Sequence, residues 1–463
     1  MIKGNMIKES LAKTDIVKVE DKKAPKGFFK ILGEVADAVR SWVGNINPDL
    51  SSSRDVDSLV LKINECLNPK GDEVSARKNT VSLGNLYLSL SEEGQIKFLQ
   101  TLAEKFNPDK TKIDEEIKVY KKNQDSESSY KFEQDLIKVL ESPRSKILKQ
   151  FISLPEGLKF IVDMRSDVLK LKNQYKSLSP LENELKSILC TLVDVDLLDL
   201  HQITWDSPAS LLEKLIKYEA VHKISSWGDL KNRLGSDRLC FAFFHYKIPN
   251  EPLIFVEVAL MNEIANSIQH VLDESVPSSD PSSASTAIFY SISNTQTGLS
   301  GISLGNFLIK RVVEKLSQEF KSVKVYATLS PVPGFTKWLK NQDVALLGKL
   351  NIKQSGTEIL ESIKTNIECK KHSLLKLCAH YLLKVKSSGG GAYDPVAHFH
   401  LSNGASIKQI NWMADTSEKG ISQSAGIMVN YLYELPKIDD NHENYMINKA
   451  ISHSKKVSSM LKE

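Results

Sequence analysis

The stretch from Ala287 to Phe335 constrains the fold of this chain more than any other. Residues 287–293 are β-branched and aromatic, a strand pattern. A loop follows that carries Gln296, Gly298, Gly301 and Gly305. Leu304, Phe307, Leu308, Val312, Leu316 and Phe320 then recur three or four apart, the spacing of one apolar helix face. A second short strand pattern, Val325 to Thr328, leads to a turn holding Ser330 between Leu329 and Pro331. Strand, glycine-bearing loop, amphipathic helix and strand make one α/β unit. A loop entering a helix offers backbone N–H groups and the positive end of the helix dipole to an anion. Glycines let the backbone approach a bulky anion without a Cβ in the way. The pattern predicts a site for a phosphate-bearing ligand, the plain alternative being a glycine turn that merely starts a helix. It is neither a GK[ST] P-loop nor GxGxxG.

Pro331 and Pro333 stiffen the backbone after Ser330 and hold its hydroxyl at a strand end, where α/β sheets commonly bind ligands. The bland reading is a turn serine or a cap for the next helix. His398 and His400 lie two apart in Ala397-His398-Phe399-His400-Leu401, which is read as a strand with both rings on one side. That spacing permits a metal, but no third ligand stands nearby, and the sequence lacks HExxH and a Cys/His framework. No metal is expected. The remaining readings are structural histidines, or His400 as a general acid/base or carboxylate ligand. No GxSxG elbow is present, so a Ser-His pair here does not imply an acyl-enzyme hydrolase.

With 463 residues, two or three domains are expected. Residues 1–54 read as a mobile arm. Residues 55–185 read as an all-α module: Ile96, Leu99, Leu102, Ala103 and Phe106, then Phe132, Leu136, Val139 and Leu140, follow helical spacing. Residues 186–463 carry the chemistry. Leu239–Lys247 and Leu253–Leu260 predict a hairpin turning at Ile248-Pro249-Asn250-Glu251-Pro252. Residues 274–286 form a Ser/Pro-rich loop, 340–388 return to helix, and Gly389-Gly390-Gly391 breaks it. Three strands are expected at 396–401, 407–412 and 426–433, with Asn403-Gly404 as a turn between the first two.

A net charge of +4 from 61 basic and 57 acidic residues is too balanced to argue for nucleic acid or an anionic membrane as partner. No run approaches the roughly 20 apolar residues of a membrane span. The first residues mix acids with lysines, unlike a transit peptide, and the five cysteines are scattered without CxxC spacing. The expected location is a reducing cytoplasm, with an inter-subunit disulfide as a minor alternative.

The glycine loop resembles the pyrophosphate loop of the acyl-CoA N-acetyltransferase superfamily. Several segments together resemble one family in particular. These are Glu219-Ala220-Val221-His222 with Trp227 and Leu230 to Arg233, Phe243-Phe244-His245 leading to Glu251-Pro252-Leu253, and Ala287 to Ser293. Further on come Leu304 to Lys310, Leu329 to Trp338, Pro395 to Leu401, and Ile410 to Asp415. In order and spacing they resemble malonyl-CoA decarboxylases from about residue 188 nearly to the end; the helical half is similar in character rather than in motifs.

The resemblance implies an α+β multidomain protein: an all-α oligomerisation domain and an α/β acyl-CoA N-acetyltransferase-like catalytic domain with a mixed central sheet. It implies conversion of malonyl-CoA to acetyl-CoA and CO2 without cofactor or metal, by a homo-dimer or homo-tetramer. The family's catalytic pair falls on Ser330 and His400. Its coenzyme A loop falls on Ser300, Gly301, Ile302, Ser303, Leu304, Gly305 and Asn306, with Gln296 and Gly298 ahead of it, and an active-site tyrosine falls on Tyr433. Ser303 stands where some members carry an acidic residue. The competing expectations are an N-acetyltransferase, which would need an amine acceptor, and a non-catalytic acyl-CoA-binding scaffold.

Overall fold

Residues 46–462 are described by a computed structural model, apart from 70–72, 194–196, 277, 303–304, 349 and 367. Most of the expected arm, 1–54, lies outside the described residues. The chain divides into two compact units after Gly157.

The first unit is helical: α1 (Ser53–Leu67), α2 (Glu73–Ser89), α3 (Glu92–Lys105), α4 (Lys110–Asn123), α5 (Ser129–Leu140) and α6 (Pro143–Ile152). Its start signals are local. Ser52 and Asp55 form a capping box on α1, Ser91 and Asp109 cap α3 and α4, and Ser142 caps α6 with Pro143 in its first turn. Leu59, Ile63, Phe98, Leu99, Leu102, Ile147 and Phe151 are fully buried. Each such side chain is worth about 1.5–3 kcal/mol against exposure, and together they supply the core that helix propensity alone would not.

The second unit begins with α7 (Gly157–Leu171), whose first residue closes the first unit, and α8 (Ser179–Leu192). Then come β1 (Leu198–Ile203), α9 (Ala209–Tyr218), α10 (Trp227–Arg233), β2 (Arg238–His245), β3 (Ile248–Met261), α11 (Ile268–Val271), β4 (Thr286–Asn294), α12 (Gly305–Glu319), β5 (Val325–Thr328) and β6 (Ser330–Pro331). The chain continues with α13 (Phe335–Lys340), α14 (Val344–Gly348), α15 (Gly356–Asn366), α16 (Lys371–Lys384), α17 (Pro395–Ser402), β7 (Ser406–Asn411), α18 (Glu418–Ser424), β8 (Met428–Tyr433), α19 (Ile438–Asn448) and α20 (Lys455–Ser459). The strands form an eight-stranded mixed sheet in the order β1-β2-β3-β4-β5-β8-β6, with β7 also paired to β8. Among the described strands β4 and β5 are the one parallel pair, joined through α12, as the strand–loop–helix–strand pattern requires. A helical segment followed by this mixed α/β domain is the expected fold class.

Three expectations are corrected. The segment 396–401 is helix, not strand. Asp394 caps α17 by accepting from the Val396 and Ala397 N–H groups, and Pro395 sits in its first turn. That start signal outweighs the polar–apolar alternation of the His-Phe-His run. Asn403-Gly404 is consequently no hairpin turn; Asn403 is the C-cap of α17, and Gly404 follows in the left-handed region at φ 79°. The β2–β3 hairpin exists, but it turns at Tyr246-Lys247. The Pro-rich segment instead lies inside β3, where Phe244 pairs with Pro252 and His245 with Ile248, so the extra residues are absorbed as a bulge.

Candidate active site

β8 sets the geometry. β5 pairs with it at Tyr326↔Tyr433 and β6 at Ser330↔Val429. Tyr431 and Tyr433, two apart on this strand, both meet the His400 ring: Tyr431 stacks on it with centroids 4.4 Å apart, and the Tyr433 hydroxyl lies 2.8 Å from Nδ1. On the other side, His400 Nε2 is 3.0 Å from Ser330 Oγ. Ser330 donates to Thr328 Oγ1 at 2.9 Å, and the Tyr431 N–H donates to the same oxygen. With the serine proton committed to Thr328, Oγ is left to accept from His400 Nε2–H. In a neutral ring Nδ1 then accepts the Tyr433 proton. The assignment gives one directed chain, Tyr433 to His400 to Ser330.

His400 is 2 % exposed. Burial pushes its pKa down to about 3, so the ring is neutral at ordinary pH. Burial raises the Tyr433 phenol, keeping it protonated. Ser330 is 6 % exposed, at the floor of a cleft of about 590 Å³. The walls of that cleft include Val221, Phe289, Ile292, Val396 and Phe399, with Gly301 and Ile302 on the loop side. Past Phe289, the last β4 residue paired to β5, Tyr290, Ser291 and Ile292 line the cleft.

Helix formation separates the two histidines. His400 faces Ser330, whereas the His398 Nδ1 meets the Tyr445 hydroxyl at 2.7 Å near the cleft mouth. Among the described residues no group of three or more His, Cys, Asp and Glu side chains is arranged to hold a metal. The five cysteines are free thiols.

The glycine loop divides between inward and outward residues. Gln296 is buried, its amide directed to the Pro252 carbonyl at 3.5 Å and to Thr295 Oγ1 at 3.2 Å. Gly298 packs against the Val162 carbonyl of α7, and a Cβ there would collide with that oxygen. The Ser300 carbonyl accepts from Arg165. Gly301, in the left-handed region at φ 73°, and Ile302 face the cleft. Ser303 and Leu304 lie outside the described residues. Gly305 and Asn306 form the start of α12, but their side chains lie outside the described set.

Sequence reasoning did not single out Thr328, Arg165 or Asp394. Asp394 accepts from the Gly334 N–H at 3.4 Å and the Tyr381 hydroxyl at 3.3 Å besides capping α17. It thereby joins the turn after Ser330 to the helix that carries His400. Burial raises its carboxyl above the ordinary range despite these donors. The Asp394-Pro395 pair was the available signal, as a cap followed by a first-turn proline.

The family model for the malonyl-CoA decarboxylase C-terminal domain matches residues 196–463, and that for the N-terminal domain matches 106–192. The chain belongs to the malonyl-CoA decarboxylase family. The members of this family are carboxy-lyases. A goose (Anser anser anser) protein named malonyl-CoA decarboxylase, mitochondrial, is 39% identical over 362 residues, 71% of this chain and 72% of its own length. The mouse protein of the same name is 38% identical over 358 residues, 69% of this chain and 71% of its own. The crystal structure of malonyl-CoA decarboxylase from Rhodopseudomonas palustris superposes with a TM-score of 0.81 at 37% identity, covering 87% of this chain and 99% of that one. That from Agrobacterium vitis gives 0.79 at 34% identity, covering 88% and 100%. The family resemblance read from the segments between Glu219 and Asp415 is therefore borne out. Among the described residues no helix is long and apolar enough to cross a membrane.

Proposed function

We propose that this chain converts malonyl-CoA to acetyl-CoA and CO2, with Ser330 and His400 as the catalytic pair and Tyr433 behind them. The observation that carries this reading is the hydrogen-bonded chain from Tyr433 through His400 to Ser330, ending in a cleft, in a member of this family.

Cleavage of the bond between C2 and the carboxylate leaves its electron pair on C2, delocalised onto the thioester oxygen as an enolate. Fixed donors aimed at that oxygen are worth about 2.7–4 kcal/mol each. The β4 backbone beyond Phe289 and the loop that follows it are the source of donors in this reading. The Ser330 hydroxyl, turned from Thr328 into the cleft and backed by His400 Nε2–H, grips the departing carboxylate out of the thioester plane. The apolar walls favour loss of the charged carboxylate as neutral CO2. The Ser330 hydroxyl then protonates C2, His400 Nε2–H restores the serine, and Nδ1 takes the Tyr433 proton. The phenol is reprotonated from solvent through a second cavity of about 230 Å³, which Tyr433 lines together with Lys310, Asn403 and His442. One proton is consumed per turnover, balancing the new C–H bond.

We also assign self-association to the helical unit. Neither α4 nor α5 contains a buried residue, and Tyr130, Ile137 and Leu140 are 69%, 58% and 50% exposed. Sedimentation of the full chain against a Tyr130→Glu/Ile137→Glu variant tests this; an unchanged mass counts against it.

The test of the reaction is acetyl-CoA and CO2 release from malonyl-CoA by the purified chain, with His400→Ala in parallel. Equimolar products, lost in the variant, are expected. Intact malonyl-CoA beside folded protein overturns the reading. Acetyl transfer to an amine without malonyl-CoA turnover would replace it by an acetyltransferase.

A further inference from the structure

Arg165 is 2 % exposed, on α7, within the stretch that the N-terminal family model matches. Its guanidinium donates to the Gly298 carbonyl at 2.6 Å and the Ser300 carbonyl at 3.0 Å. Glu182 of α8 holds the guanidinium from another side, at 2.8 and 3.2 Å. A fully buried cation is costly unless paired and hydrogen-bonded throughout. Here its acceptors are two carbonyls of one loop, so the loop's backbone is oriented by a fixed charge.

The consequence follows from peptide geometry. In a planar trans peptide the C=O and the next N–H point in opposite directions. With the Ser300 carbonyl drawn onto Arg165, the Gly301 N–H is turned away from it, on the side where Gly301 and Ile302 line the cleft. The left-handed φ of 73° at Gly301 accommodates that direction. The N–H groups of Leu299, Ser300 and Ile302 are taken up by the Gln296, Thr297 and Leu299 carbonyls, while Gly301 N–H has no such bond among the described residues. Lys186, on the helix that carries Glu182, puts its ammonium 3.7 Å from where a Gly301 Cβ would lie. Backbone N–H and ammonium together favour an anion at this edge.

We propose that Arg165, held by Glu182, is a positioning residue that aims the Gly301 N–H beside Lys186 at the diphosphate of the thioester's coenzyme A portion. The inference rests on the coenzyme A reading of the cleft. It makes α7 and α8 part of substrate binding, although neither carries a group that touches the reacting carbons.

The experiment compares malonyl-CoA with malonyl-pantetheine, which lacks the diphosphate, for the full-length protein and its Arg165→Lys, Glu182→Gln and Lys186→Ala variants. Coenzyme A binding is measured by calorimetry alongside. The expected result is a rise of roughly tenfold in KM for malonyl-CoA, one lost anchoring interaction, with kcat within about threefold. kcat/KM for malonyl-pantetheine stays unchanged. Equal losses on both thioesters, or no change on either, overturn the proposal. If Arg165→Lys fails to fold, Glu182→Gln and the half-buried Lys186→Ala carry the same comparison. A wild-type protein that binds coenzyme A without decarboxylating would sink the catalytic reading while leaving the calorimetric test of the loop intact.

Discussion

The Tyr433 hydroxyl lies 2.8 Å from His400 Nδ1, on the opposite side of the ring from Ser330 Oγ. With Nε2–H facing the serine, the phenol is the donor to the nitrogen that carries no proton. The pairing Tyr326↔Tyr433 fixes the phenol on the sheet, and α17 fixes the ring, so neither partner is adjustable by a loop.

Tyr433→Phe removes that hydroxyl and nothing else from a buried side chain. The expected result is a fall in kcat of about tenfold or more, within the range of positioned acid–base effects. KM for malonyl-CoA and the thermal midpoint should stay close to wild type. Steady-state kinetics with a melting curve read all three; an unchanged kcat would remove Tyr433 from the chain of proton transfer.

The histidine also links pH to stability. Its folded pKa of about 3 lies below the ordinary 6.5, so the fold favours the neutral ring. That contribution is fully present above about pH 6.5 and is lost as pH falls toward 3. Denaturant titrations from pH 7 to 4 should therefore show wild type losing stability relative to His400→Gln as the pH falls. The activity profile should have no acid limb near 6.5 belonging to this residue. A limb there that vanished in His400→Gln would mean the imidazole titrates as if exposed.

Much of this site was legible in the sequence because its signals are local. Ser330 is pinned by two prolines, and the glycine loop announces itself between a strand and a helical stripe. The location of Tyr433 and the pairing of Ser330 with His400 came through family resemblance. The His-Phe-His segment was misread because alternation over a few residues fits a strand as well as a short helix, and Asp394-Pro395 was the arbiter. Arg165 was invisible for another reason: its partners Gly298 and Ser300 are 133 and 135 residues away, and an arginine within an amphipathic helix carries no mark of the loop it will reach.

Asp394 offers a separable test of cap and site. Asp394→Ala removes the acceptor for the Val396 and Ala397 N–H groups, a loss of about 0.5–2 kcal/mol. It also frees the Gly334 turn from α17, so kcat should fall further than stability alone explains. Asp394→Asn keeps a good cap residue and should recover most of the stability. Chemical denaturation and initial rates on both variants measure this; equal stability in the alanine variant and wild type would contradict the capping role.

Beneath the cleft wall, Arg233 meets Asp229 at 2.7 Å and Glu257 at 3.1 Å and also donates to the His222 carbonyl at 2.9 Å. Glu219 adds a further buried acid, accepting from Ser291, Ser293 and the Val221 and His222 N–H groups. One guanidinium cannot neutralise all these carboxylates. Asp229 is held below the ordinary carboxylate range, whereas burial and the nearby Glu219 push Glu257 up to about 8. A carboxyl whose folded pKa lies above its unfolded value stabilises the protein fully below about 4.5, and that contribution is lost as pH rises through 8. This contribution is therefore lost between about pH 4.5 and 8, and Glu257→Gln, neutral throughout, should flatten that slope. Arg233→Gln leaves buried acids uncompensated and should cost about 3–5 kcal/mol. Since Arg233 and Glu219 also anchor the segment that presents Val221 to the cleft, a loosened network at high pH should raise KM before the protein unfolds. Parallel KM and melting measurements across pH 7–9 decide it: a KM that tracks only the unfolded fraction would show that the network supports the fold without shaping the cleft.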